Sequence, residues 1–190
     1  VGIFERYGRL TQHFMGENAM KETKLESEVS QNPKSSCFQC ADAIEISIFI
    51  EKEGLSFYEK AAKSVLEPSV KKMFLRLAEE EREHIQTLQT KLQFVKPAIS
   101  TKNGRKKGNI VSFIKEELEG KIFPTYENVV EEFKNDLKAL EYGIDSEKRS
   151  VEILNNLLAN EKKLDVKTIF AHLVVEEKKH LLLLENLKAN

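Results

Sequence analysis

The chain has 190 residues, enough for one domain with a full core and few for two. Glycine and proline are sparse (8 and 4), tryptophan is absent and 32% of residues are Asp, Glu, Lys or Arg, a mixture suited to long amphipathic helices rather than a sheet. A formal net charge of −1 argues against nucleic-acid and membrane-surface partners, which normally need a basic excess, and runs such as Leu181 to Leu184 are far too short to span a bilayer.

In chain order, residues 1–40 form a separate segment in which Ile3, Phe4, Tyr7, Leu10 and Phe14 suggest an amphipathic helix of unknown destination. The segment closes on the only two cysteines, Cys37 and Cys40, in Cys-Phe-Gln-Cys. That is no disulfide framework, and no signal peptide is visible, so a reducing cytoplasm is the expected compartment; residue 1 is Val, which leaves room for an upstream segment. Two such thiols are half of a tetrahedral zinc or iron site, and could pair across a dimer or act as a redox dithiol. Two free thiols are the commoner outcome, and the pair is assigned no site.

A helical bundle region follows from residue 41 to residue 190. The spacing predicts a first helix from about Ala41 to Leu66 with Ile44, Ile48, Leu55, Tyr58 and Ala62 on one stripe. Pro68 suits the first turn of a second helix, which carries Val70, Phe74, Leu77, Leu88 and Leu92. A crossover of about residues 95–136 comes next. Its first part, Pro97 to Gly108, holds Lys102, Arg105, Lys106 and Lys107 and reads as an exposed, solvated loop. Its later part, from Ile110, has room for one or two short helices interrupted by Pro124. A stretch of this length can cross a bundle from end to end. The third long helix runs from about Leu137 to Asn160 with Leu140, Ile144, Val151, Leu154 and Leu158; the fourth carries Val166, Phe170, Leu173, Leu184 and Leu187, with Asp165 as its expected N-cap. The fold class expected is all-α, an antiparallel four-helix bundle.

The chain repeats itself. A shift of 96 residues lays Glu51 on Glu147, Glu81 on Glu177 and His84 on His180, and also brings Lys52, Val70, Lys71, Phe74, Leu77, Glu80 and Leu88 onto identical residues without a gap. A duplicated helical hairpin accounts for this, each copy supplying half of one bundle.

Each apolar stripe is interrupted by acid where it should face the core. The first helix reads Ile48, Glu51, Leu55; the third reads Ile144, Glu147, Val151; the second and fourth are broken by Glu-x-x-His, at Glu81 and His84 and at Glu177 and His180. Residues three apart share a helix face, so each such glutamate and histidine can grip one object. Counting from the turns, the paired acids of a hairpin lie at similar heights, roughly 21–24 Å from the turn. Carboxylates left unpaired in a core are costly, and no lysine or arginine occupies a neighbouring stripe position. Two divalent cations would cancel four carboxylate charges, which is the di-iron or di-manganese carboxylate arrangement; zinc would also be accepted. His13 and His172 have no counterpart in the repeat and read as ordinary residues.

At these residues the chain resembles the rubrerythrin-type branch of the ferritin-like superfamily. The segments that carry the likeness are Ile50-Glu51-Lys52-Glu53-Gly54 through Phe57-Tyr58, then Leu77 to His84, and in the second hairpin Glu147 and Val175 to His180. The resemblance implies a ferritin-like bundle built from two hairpins and a centre of two iron ions that reacts with hydrogen peroxide or dioxygen. It makes Glu81 and Glu177 candidate bridging carboxylates, Glu51 and Glu147 terminal ligands, and His84 and His180 ligands to one metal each. Tyr58, two turns from Glu51, matches the family's site tyrosine and is a candidate catalytic residue; a core ring with a satisfied hydroxyl is the equal alternative. The chain departs from fuller members in three places. Ser150 stands where they carry a further glutamate, Leu154 stands where the repeat would mirror Tyr58, and the sequence contains no four-cysteine rubredoxin domain.

The function expected is therefore reduction of peroxide or dioxygen in oxidative-stress defence, with an external electron donor and a homodimer as the assembly. The alternatives are a ferroxidase or iron-handling protein, and a non-catalytic adaptor whose metal is structural.

Overall fold

In a computed structural model, residues 38–99, 108–125 and 129–189 are described. The segment around Ile3 to Phe14, Cys37 and the basic run at Lys102 to Lys107 lie outside the described residues. Helix α1 spans Cys40–Ser64, α2 Pro68–Ile99, the short α3 Gly108–Phe113, α4 Asp136–Asn160 and α5 Leu164–Ala189. A π-helical turn, Ile114–Leu118, continues α3, and a 3₁₀ turn, Glu132–Lys134, precedes α4. The fold is all-α and ferritin-like: α1 pairs with α2 and α4 with α5, each pair joined by three residues.

Local chemistry sets these boundaries. The Gln39 amide donates to the Asp42 carboxylate at 2.7 Å, three residues on, which caps the start of α1. Pro68 opens α2 as its position predicts, since a first-turn residue needs no N–H partner. Asn135 caps α4 by accepting from the Lys138 amide at 3.1 Å. Asp165 is not the N-cap of the last helix. The helix starts at Leu164, and Asp165 lies inside its first turn, where a carboxylate still favours the positive end of the helix dipole. Helix α2 also runs through Pro97 to Ile99, past the predicted start of the loop; this close to the C-terminus the missing N–H costs only one backbone bond.

The two hairpins are stitched at both ends by matching contacts. At one end the Leu66 and Glu67 amides both donate to Asp136 Oδ1, at 2.7 and 3.1 Å. At the other, the Cys40 thiol donates to Asp165 Oδ2 at 2.8 Å, and the Phe38 amide donates to Glu161 at 3.3 Å. Burial and the adjacent Asp165 carboxylate push the Cys40 thiol up to about 11, which suits a hydrogen-bond donor and not a thiolate.

The stripes bury as their spacing predicts at Ile44, Ile48, Tyr58, Phe74, Leu77, Leu140, Ile144, Leu154, Val166, Phe170, Leu173 and Leu184, while Leu55, Leu88, Val151, Leu158 and Leu187 are half-buried. Helix α1 goes further and also buries Ile46, Ile50, Phe57 and Ala61. It does so because it packs on α2, α4, α5 and the crossover alike. The crossover is part of the core: Leu118, Ile122, Phe123, Val129 and Phe133 are buried in it, with the Phe57 ring 5.4 Å from both Phe123 and Phe133. Arg149 of α4 ties this layer down, its Nε donating to the Ile122 carbonyl at 2.8 Å. Among the described residues no helix is long and apolar enough to cross a membrane.

Truncating a crossover ring should therefore cost as much as truncating a bundle ring. Phe133→Ala (1% exposed) is expected to lose about 3–5 kcal/mol in urea unfolding. Phe94→Ala (79% exposed) should stay within about 0.5 kcal/mol of the parent.

Candidate metal centre

Four helices each bring one acid to the middle of this interior. Glu51 of α1, Glu81 of α2, Glu147 of α4 and Glu177 of α5 are all buried, and among the described residues no lysine or arginine lies at hydrogen-bond distance from them; the ion-pair contacts seen there are with His84 and His180. The six residues singled out by the repeat gather into two overlapping groups. One comprises Glu51, Glu81 and His84; the other comprises Glu81, Glu147, Glu177 and His180, and within each group the nearest donor atoms lie within 4.8 Å of one another. Glu81 belongs to both.

The two imidazoles present the same nitrogen inward. His84 Nδ1 is 3.3 Å from Glu51 Oε2 and 3.8 Å from Glu81 Oε2. His180 Nδ1 is 3.3 Å from Glu81 Oε1 and 3.8 Å from Glu147 Oε1. The rings stack with centroids 5.8 Å apart. Each Nε2 points outward to a glutamate of the opposite hairpin: that of His180 lies 3.4 Å from Glu80, and that of His84 lies 4.0 Å from Glu176. Glu80 and Glu176 coincide under the 96-residue shift, so the repeat already marked them, but a pattern on one strand of sequence does not reveal that each faces the other copy's histidine. The two sides differ in access: the His84 side chain is 25% exposed and that of His180 is 1% exposed.

Small residues make room for this gathering. A Cβ on Gly54 would sit 2.9 Å from Glu81 Oε1 and 3.3 Å from the Phe123 ring, so the shared carboxylate occupies space that only glycine leaves free. Ser150, which the repeat lays on Gly54, is wholly buried and its Oγ has no hydrogen-bond partner. Tyr58 is also wholly buried, and its hydroxyl donates a short hydrogen bond to Glu147 Oε1. The ring is part of the core, and the group that satisfies its hydroxyl belongs to the cluster.

The electrostatics show a site short of positive charge. Burial first, and then the neighbouring acids, push Glu51 and Glu147 well above the ordinary carboxylate range, and burial raises Glu177 as well. Burial opposes the ionised form of Glu81 too, but Glu51 and the two imidazoles beside it outweigh that and hold this carboxyl at about 2. Burial lowers His180, yet the Glu81 carboxylate beside it carries it up to about 9. Even so, one oxygen on each of the four acids and both nitrogens of His180 lack a hydrogen-bond partner. Partnerless atoms on converging acids are what a cation would satisfy, and mixed carboxylate and imidazole donors fit iron or manganese, with zinc also accommodated.

A family model described as Rubrerythrin matches residues 42–188. Comparisons with curated proteins and with solved structures gave no match.

Two outcomes follow from the unbalanced acids. Groups raised by folding stabilise the chain below their unfolded values and lose that contribution as pH rises through the folded ones. For Glu51, Glu147 and Glu177 the loss starts near 4.5, and for His180 it runs from 6.5 to about 9, while the contribution of Glu81 is constant above 4.5. The melting temperature of metal-free protein should accordingly fall from pH 5 to pH 9, and a Glu51→Gln, Glu147→Gln double variant should show a flatter profile. Gly54→Ala should keep the helical circular-dichroism spectrum but weaken cation binding about tenfold or more in a calorimetric titration, because the added methyl displaces the shared Glu81.

Proposed function

Since the chain belongs to the rubrerythrin family, a ferritin-like family with di-iron centres, we propose that its centre reduces hydrogen peroxide or dioxygen with electrons from an outside donor. In this reading Glu51, Glu81 and His84 hold one iron ion, and Glu81, Glu147, Glu177 and His180 hold the other. The observation that carries it is the set of partnerless buried atoms on five of these six residues, all converging where the two hairpins meet. Glu81, common to both groups, would be the residue shared by the two ions; Glu177, which the resemblance also implies as a bridge, falls in one group only.

Iron held by these residues would supply the two electrons that cleavage of a peroxide bond consumes, without release of a hydroxyl radical. The protein's own part is to hold, orient and exclude. Glu80 and Glu176 face the outer nitrogens of His180 and His84 and favour the tautomer whose Nδ1 is free to bind inward. The Tyr58 hydroxyl fixes one oxygen of Glu147 and leaves the other, Oε2, without a partner. The rings of Phe57, Tyr58, Phe74 and Phe123, packed edge to face, keep water from that side. The partly exposed His84 marks the opposite side as the one a small oxidant reaches. Ser150, in place of the further glutamate of fuller family members, leaves the centre with four carboxylates.

Glu81→Ala and His84→Ala are expected to abolish iron-dependent peroxide consumption by the reduced protein in stopped-flow experiments; rates equal to the parent would overturn the mechanism. A purely structural metal would leave the spectrum of the reduced di-iron protein unchanged on peroxide addition. Light scattering tests the assembly, with a homodimer expected and a large shell pointing instead to iron storage.

A further inference from the structure

The two copies of the hairpin treat the two sides of the centre unequally. Beside His84 lies a cavity of about 160 Å³. Glu51 and His84 line it, and Ile44, Leu88, Ile169 and Leu173 supply its apolar lining. The 96-residue shift explains why the cavity exists on this side. Thr87 and Lys91, which line it, correspond to Leu183 and Leu187, and those leucines pack against the main core on the His180 side. The first copy has a hydroxyl and a long flexible amine where the second has filling hydrocarbon.

The size and lining of this space exceed what hydrogen peroxide requires. A water molecule takes about 30 Å³ of liquid, and a peroxide on the order of twice that, so most of the cavity would be left over. The surface it presents is mostly hydrocarbon, although Ser47, Thr87, Lys91, Thr168, His172 and Glu176 also border it, and an engineered apolar cavity of about 150 Å³ takes up benzene. Two of the lining residues, Glu51 and His84, belong to one metal group, so a molecule seated here can set a hydrocarbon part against Ile44, Leu88, Ile169 and Leu173 and an oxygen-bearing end at the centre.

We propose that this cavity is a binding site for the organic part of a small alkyl hydroperoxide, with an alkyl group of about six carbons or fewer. The assignment rests on the peroxide-reducing function proposed above and narrows its substrate class. In the reaction the hydroperoxide O–O bond breaks as it takes up two electrons and two protons. The products are one alcohol and one water, two ferrous ions become ferric, and the outside donor restores them.

The test uses tert-butyl hydroperoxide and hydrogen peroxide as substrates and tert-butanol as an unreactive probe of the cavity. In metal-free protein, tert-butanol should shift the methyl resonances of Ile44 and Leu173 saturably, and Ile169→Phe should abolish the shifts. In reduced, iron-loaded protein, tert-butyl hydroperoxide should yield one tert-butanol per two irons oxidised. Ile169→Phe should slow that reaction at least tenfold more than it slows the reaction with hydrogen peroxide. Thr87→Leu, at an exposed position and copying Leu183, should act in the same direction and guards against a misfolded first variant. Absence of the methyl shifts, or equal slowing with both peroxides, overturns the assignment. If hydrogen peroxide alone oxidises the centre, this assignment falls and the broader function stands; if neither peroxide does, both fall.

Discussion

Four acids held out of water within one small volume are the constraint that organises the rest of the molecule. Burial opposes the ionised form of every one of them, and Glu51, Glu147 and Glu177 are raised while Glu81 is held down by its neighbours. Only covalent continuity and the burial of surrounding hydrocarbon keep them together. The features nearest to them become intelligible on those terms. Gly54 and Ser150 give up side-chain volume one turn beyond a glutamate, Tyr58 spends its hydroxyl on Glu147, and two imidazoles turn the same nitrogen inward. The crossover lays phenylalanines along α1 and so completes the dry wall that the arrangement needs.

Duplication supplies the symmetry, and divergence supplies the chemistry. The end-to-end stitching through Asp136 and through Cys40 and Asp165 uses corresponding points of the two copies, since the shift lays Cys40 on Asp136. Likewise Glu80 and Glu176 reach across to each other's histidine. Against that background the differences stand out. Tyr58 faces Leu154 in the alignment of the copies, and Thr87 and Lys91 face leucines. One flank of the centre is thereby sealed with aromatic and aliphatic carbon, and the other is left accessible beside His84.

Much of this was legible in the sequence, because helical spacing and an ungapped repeat are local, additive signals. The four long helices, the core positions from Ile44 to Leu184 and the gathering of Glu51, Glu81, His84, Glu147, Glu177 and His180 all follow from them. What escaped was whatever depends on three elements meeting at once. Ile46 and Ile50 lie off the stripe of α1 and yet belong to the main core. Phe123 and Phe133 sit in a stretch without helical period, so nothing in their spacing marks them as core. The requirement for glycine at position 54 comes from a carboxylate 27 residues away, on another helix. Asp165 looked like a cap because it precedes an apolar run, but the helix begins one residue earlier and its carboxylate serves the Cys40 thiol instead.

The unequal membership of the two donor groups bears on the order in which the molecule comes into being. All of Glu51, Glu81 and His84 reside on α1 and α2, so a growing polypeptide holds that trio complete once the first hairpin has left the ribosome. The other quartet borrows Glu81 from the first hairpin and cannot be assembled before His180 has been synthesised. An ion captured early by the trio would steady the borrowed carboxylate and give the later hairpin a charged template on which to close.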